Sequence, residues 1–209
     1  MILNDPAYML ADAFVANFTN KASADFNSLN SGINLLQRNY MKAQMEMQSG
    51  RKLYPDANLS LRLAYGNVKG YKARDGVQFN YYTTLEGLIE KHAADPRNED
   101  FFYPAKLGQL CDKKDYGRYG MNGEMPIAFV ADNHTTGGNS GSPVLNGKGE
   151  LIGINFDRCW EGTMSDIMFD DAVCRNISVD IRYVLFIIDK FAGAKNLVDE
   201  MSIVSDSGN

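Results

Sequence analysis

The stretch Thr135-Thr136-Gly137-Gly138-Asn139-Ser140-Gly141-Ser142-Pro143 constrains this chain more than any other. Glycines around a serine let the backbone take positive φ and let a ligand carbonyl come close. A turn of this kind can aim the amide N–H groups of Gly138 and Ser140 at one spot beside the Ser140 hydroxyl. Two amides converging beside a hydroxyl make an oxyanion hole next to a nucleophile. The following residues support that reading. Val144-Leu145, the turn Asn146-Gly147-Lys148-Gly149 and the run Glu150 to Phe156 have the pattern of a β-hairpin. The plainer alternative is a Gly/Ser-rich turn with no chemistry. The full nine-residue string, followed directly by a hairpin, favours the catalytic one.

Before this stretch the periodicity is first helical, then that of strands. Asp5 is placed to cap a helix over residues 6–18, with Pro6 at its first position. After Thr19-Asn20 a second helix is expected, ending near Ser49-Gly50. Its apolar residues Phe26, Leu29, Ile33, Leu36, Tyr40, Ala43 and Met47 form one stripe, read as core packing. From Tyr54 the period becomes two, and Leu59, Leu61, Leu63 and Tyr65 read as a half-buried strand. Val68 to Tyr81 reads as a hairpin turning at Arg74-Asp75-Gly76. Thr84 is expected to cap a short helix from Leu85 to Ala93. Residues 95–124 are polar and read as a surface insertion with a helical turn near Lys106–Leu110. Ile127 to Ala131 is the strand that leads into the serine turn. Arg175 to Val179 is another strand, and Asp180 caps a last helix whose Ile181, Val184, Leu185, Ile188 and Phe191 are expected to face a β-barrel.

With 209 residues, 44% of them hydrophobic, the chain can bury a sizeable core. A net charge of −5 argues against a nucleic-acid partner. No apolar run is long enough for a transmembrane helix, and Met1 to Pro6 lacks the regions of a signal peptide. The cysteines Cys111, Cys159 and Cys174 form no C-x-x-C pair or Cys/His cluster, so neither a metal nor another cofactor is expected. Cys159 and Cys174 flank one loop and could equally be bridged or free.

The strings GGNSGSPVLN and GELIGINFD resemble the nucleophile region of chymotrypsin-clan serine peptidases. Within that clan they are closest to the bacterial dipeptidyl-peptidase 7 and 11 family. The strings at residues 54–71 and 177–201 fit the same family. The resemblance implies the C-terminal portion of such an enzyme. Its fold would be α+β: residues 1–50 a helical hairpin from a domain capping the cleft, and residues 51–209 the C-terminal antiparallel β-barrel of a chymotrypsin-like double barrel with a terminal helix. It also implies a periplasmic or cell-surface location, a homodimer in the full-length enzyme, and peptide substrates with a free N-terminus.

Ser140 needs a base. His134 precedes it by six residues and could form a dyad with it. In this clan, however, the base comes from the other barrel, so the catalytic His and Asp are expected on polypeptide outside this chain. His92 reads as a solvated helix residue. The end of the strand over residues 150–157 would wall the pocket for the residue preceding the scissile bond. Arg158 there supplies a planar fork suited to a carboxylate. By resemblance, Arg158 marks the type selective for Asp or Glu as the second substrate residue, and Asp157 binds the substrate's α-ammonium. A surface pair of Arg158 with Glu161 or Asp166 is the bland alternative. Two other functions compete: a glutamyl-type serine endopeptidase, which shares GNSGSP, and a non-catalytic barrel serving as a binding module.

Overall fold

The computed structural model describes residues 2–51, 53, 55 and 58–204. It divides into two units, residues 1–61 and 62–209.

The first unit is helical. Helix α1 spans Pro6–Asn17. Asp5 caps it as expected, its Oδ1 accepting from the N–H groups of Ala7 at 2.8 Å and Tyr8 at 3.1 Å. Helix α2 spans Ser23–Met47. The expected hairpin between them is absent. Phe18–Ala22 forms a π-helical turn, and the residues bounding it, Asn17 and Ser23, keep right-handed helical dihedrals. Thr19-Asn20 contains neither the glycine nor the proline that would break and reverse the chain, so the helix runs through. The apolar stripe of α2 is also not core: Phe26, Leu29, Ile33, Leu36, Tyr40 and Met47 are all exposed.

The strand expected over Leu59 to Tyr65 does not form. Leu59, at the end of the first unit, has φ +65°, and no residue from 59 to 67 belongs to a strand. Leu59, Leu61, Leu63 and Tyr65 are 86% or more exposed. Alternation alone makes no strand when no neighbouring strand takes up its backbone hydrogen bonds. Tyr54, where that strand was expected to begin, lies outside the described residues.

The Val68–Tyr81 hairpin does form. Strands β1, Tyr71–Arg74, and β2, Val77–Phe79, make a two-stranded antiparallel sheet. A second sheet contains β3 (Tyr82–Thr84), β4 (Pro126–Ala131), β5 (Pro143–Leu145), β6 (Leu151–Arg158) and β7 (Asn176–Asp180). Its order is β3-β4-β7-β6-β5, all pairs antiparallel. With β3 and β5 at its two edges, the sheet does not close into a barrel among the described residues.

Helix α3, Leu85–Ala94, starts where β3 ends; the Leu85 N–H bonds to Met125 O, and Thr84 makes no side-chain cap. Helix α4 spans Ala105–Asp112. The region 95–124 is not a surface insertion. Its Leu107, Cys111, Tyr116 and Tyr119 are buried with Leu85, Met125, Leu185, Phe186 and Val198 in the main apolar core. These anchors are spaced among charged residues, so average polarity hid them. Asp180 caps α5, Ile181–Phe186, accepting from the Arg182 N–H at 2.9 Å. A π-helical turn over Ile187–Phe191 and α6, Lys195–Asp199, complete the unit. No helix among the described residues is long and apolar enough to cross a membrane.

Candidate active site

Ser140 lies on the connection from β4 to β5, exposed to solvent. The Ser142 N–H donates to the Asn139 carbonyl at 2.9 Å, closing a four-residue turn. Gly141, third in that turn, has φ +80°, whereas Ser140 does not have positive φ. That is the signature of a type II turn, which requires glycine at its third position. Gly138, at φ +102°, is likewise in a conformation that L side chains rarely adopt. Asn139 ties the preceding residues in place, its Oδ1 accepting from the Thr136 N–H at 2.9 Å.

Strand β6 grips this turn. The Gly141 N–H donates to Asn155 O at 2.8 Å, and the Asn155 N–H donates to Ser142 O at 2.9 Å. The Ser140 hydroxyl donates to Phe156 O at 3.4 Å. The register of β6 against β7 shifts between Asn155 and Asp157. A bulge at Phe156 re-aims the end of the strand beside the serine, as bulges near reactive centres do.

Arg158 follows two residues later and lines a small, shallow recess with Asn133, His134, Thr135, Ser165, Phe169 and Asn176 among its walls. Its guanidinium is already engaged. Nη1 donates to Ser165 Oγ at 2.6 Å and lies 3.0 Å from Asp166 Oδ1, while Nη2 reaches Asp166 Oδ2 at 3.1 Å. Two hydrogen bonds and an ion pair thus engage Nη1 and one N–H of Nη2. None of these contacts uses the Nε–H or the second Nη2–H. Asp166 is therefore Arg158's acidic neighbour; Glu161 instead accepts from the Tyr71 hydroxyl at 2.7 Å. Burial, together with that bond, pushes the Tyr71 phenol well above its usual range. Asp157 is exposed, its Oδ1 accepting from the Arg158 N–H at 2.7 Å.

His134 stands at the recess with its ring 4.7 Å from that of Phe169. The hydrogen bond of the Ser140 hydroxyl runs to Phe156 and not to His134. His92 is half-buried, edge-on to Tyr103 at 5.1 Å, rather than solvated. Cys159 and Cys174 are free thiols, both buried. The Cys159 thiol donates to Val173 O at 3.3 Å, and Cys174 Sγ accepts from the Asp170 N–H at 3.4 Å. No group of three His, Cys, Asp or Glu side chains among the described residues could hold a metal ion.

Two supports of the site carry no local sequence signal. Arg175 is 4% exposed, and its guanidinium donates to the carbonyls of Lys69, Gly70, Asp171, Ala172 and Cys174. It joins the segment before β1 to the far wall of the recess. Asp132 accepts from the Asn67 N–H and pairs with Lys69 Nζ, both at 2.6 Å. The Lys69 ammonium holds its carboxyl below the usual carboxylate range.

A serine on a tight glycine turn feeding an antiparallel sheet is the setting of a serine-peptidase nucleophile. The chain belongs to the Peptidase S46 family, whose model matches residues 2–203. It is 50% identical over 200 residues to the Asp/Glu-specific dipeptidyl-peptidase of Flavobacterium psychrophilum, a match covering 96% of this chain and 28% of that protein. It is 55% identical over 174 residues to the dipeptidyl-peptidase 7 of Phocaeicola vulgatus, covering 83% and 24% respectively. The crystal structure of Porphyromonas endodontalis DPP11 in complex with the dipeptide Arg-Glu is 47% identical with a TM-score of 0.86, covering 95% of this chain and 28% of that one. The chain thus spans about a quarter of the length of these relatives.

Proposed function

We propose that this chain is the C-terminal, nucleophile-bearing portion of a serine dipeptidyl-peptidase that releases N-terminal dipeptides with Asp or Glu as the second residue. Ser140 attacks the scissile carbonyl, and the N–H groups of Gly138 and Ser140 stabilise the oxyanion that forms. The catalytic His and Asp come from polypeptide not included in these 209 residues. Arg158 binds the side-chain carboxylate of the second substrate residue, and Asp157 binds the free α-ammonium. The five-stranded sheet, open among the described residues, corresponds to the C-terminal barrel of a chymotrypsin-like pair. The whole enzyme acts as a homodimer in the periplasm or at the cell surface.

One observation carries the reading. The Ser140 hydroxyl rests on the carbonyl of Phe156, and Arg158 stands two residues further along the same strand, in the wall of a recess. Overall similarity does not choose the specificity, because Asp/Glu-specific and type 7 relatives match at comparable identity. A guanidinium with two unused N–H groups favours an acidic partner over an apolar one. The test is turnover by the intact polypeptide of chromogenic dipeptides ending in Glu, Asp or Leu. Preference for the acidic pair supports the proposal, and preference for Leu contradicts it.

A further inference from the structure

We propose that Asn155 and Asn176 form a positioning relay that turns the Ser140 N–H toward the oxyanion hole. The idea rests on Ser140 being the nucleophile. The two asparagines lie on the neighbouring strands β6 and β7 and are 5% and 2% exposed. A primary amide buried this deeply is costly unless its polar atoms are bonded. Here the bonds run in one direction. The Ala131 N–H donates to Asn176 Oδ1 at 3.1 Å. Asn176 Nδ2 donates to Asn155 Oδ1 at 3.1 Å. Asn155 Nδ2 donates to the Asn139 carbonyl at 3.2 Å. A backbone N–H can only donate, so Ala131 sets the orientation of both side-chain amides.

The last acceptor in the relay belongs to the peptide bond that ends at the Ser140 nitrogen. A trans peptide holds its C=O and N–H antiparallel. Drawing Asn139 O toward β6 therefore directs the Ser140 N–H the opposite way, away from the sheet. The Ser142 N–H also reaches Asn139 O, and the Asn155 backbone holds Gly141 and Ser142 to β6; the Asn155 side chain adds a contact to Asn139 O from outside the turn. Asn155 is anchored in the sheet, so its side chain fixes the peptide plane relative to β6. Asn176 also lines the recess that holds Arg158, and in the relay it acts through Asn155; Asn155 lies outside that lining and acts through the Asn139–Ser140 peptide.

The test uses the intact peptidase polypeptide carrying Asn155→Asp, a position outside the lining of the recess. That variant keeps the size of the side chain and an oxygen for Asn176 Nδ2, but it removes the donor to the Asn139 carbonyl. The second carboxylate oxygen then faces the Asn139 carbonyl and repels it. Misplacing a catalytic group by about an ångström costs on the order of a hundredfold in rate. The expected result is a fall in kcat of about tenfold to a hundredfold, with KM within about threefold. Affinity for a peptide-aldehyde transition-state mimic should fall by the same factor as kcat, while affinity for the product dipeptide holds. Asn155→Leu should behave in the same way. A folded variant with kcat within threefold of the parent would overturn the relay, as would equal losses of aldehyde and product affinity. Variants that do not fold would show a requirement of the sheet itself and also count against it. Turnover surviving Ser140→Ala would instead overturn the nucleophile reading, whatever the asparagine variants do.

Discussion

The Ser140 hydroxyl donates to the carbonyl of Phe156, joining the serine turn to the strand that ends in Arg158. A bulge falls on that strand beside the contact. The distance between the serine turn and Arg158 is therefore set by a sheet and not by flexible loops. An exopeptidase that reads the residue next to the scissile bond needs a fixed ruler of this kind.

On the proposed specificity, Arg158→Gly in the intact enzyme should remove the preference for an acidic second residue. A desolvated charge pair is worth about 2–5 kcal/mol, so kcat/KM for a dipeptide ending in Glu should fall at least thirtyfold. Turnover of a dipeptide ending in Leu should change much less. Steady-state kinetics on the two substrates checks this, and a loss below tenfold for Glu would count against Arg158 as the selector.

Gly141→Ala should both destabilise the unit and lower kcat. A side chain forced to the φ of +80° found here costs about 1–3 kcal/mol. The Asn139–Ser142 turn would relax to avoid it, moving the Ser140 hydroxyl off Phe156. Thermal melts and kcat measured on the same preparation should fall together.

Much of this turn is legible in the sequence. Turn type follows from short-range chemistry, and a glycine one residue after the serine is enough to propose it. The Asp5 and Asp180 caps were legible for the same reason, because a cap involves residues only two or three apart. What failed depended on distant partners. The alternation of Leu59 to Tyr65 predicts a strand, yet a strand exists only where another strand takes up its hydrogen bonds. The region 95–124 reads as surface by average polarity, although Leu107, Cys111, Tyr116 and Tyr119 anchor it in the core. Arg175 could not have been singled out, since the carbonyls of Lys69 and Gly70 that it holds lie more than a hundred residues earlier.

Arg175→Lys should destabilise the second unit by about 2 kcal/mol or more, despite keeping the charge. A lysine ammonium has three donors at one point and cannot span the five carbonyls that the planar fork reaches. Chemical denaturation would read this as a lower midpoint with an unchanged slope.

The Asp132–Lys69 clamp should add an acid-sensitive component to stability. The folded carboxyl is held below its ordinary value, so the contribution is fully present above the unfolded pKa of about 3.9. It is lost as pH falls through the lower, folded value. Melting temperatures recorded from pH 6 to pH 2 should drop less steeply for Asp132→Asn than for the parent, and the curves should converge at the acid end. Parallel curves would show that the clamp contributes nothing to acid sensitivity.

The most direct test of the whole account is covalent. The intact enzyme is treated with a dipeptidyl phosphonate carrying Glu next to the warhead, and the adduct is mapped by mass spectrometry. The account predicts a single adduct on Ser140, strongly reduced by Arg158→Gly and by replacing Glu with Leu in the reagent. An adduct on another residue, or equal labelling by the Glu and Leu reagents, would contradict it.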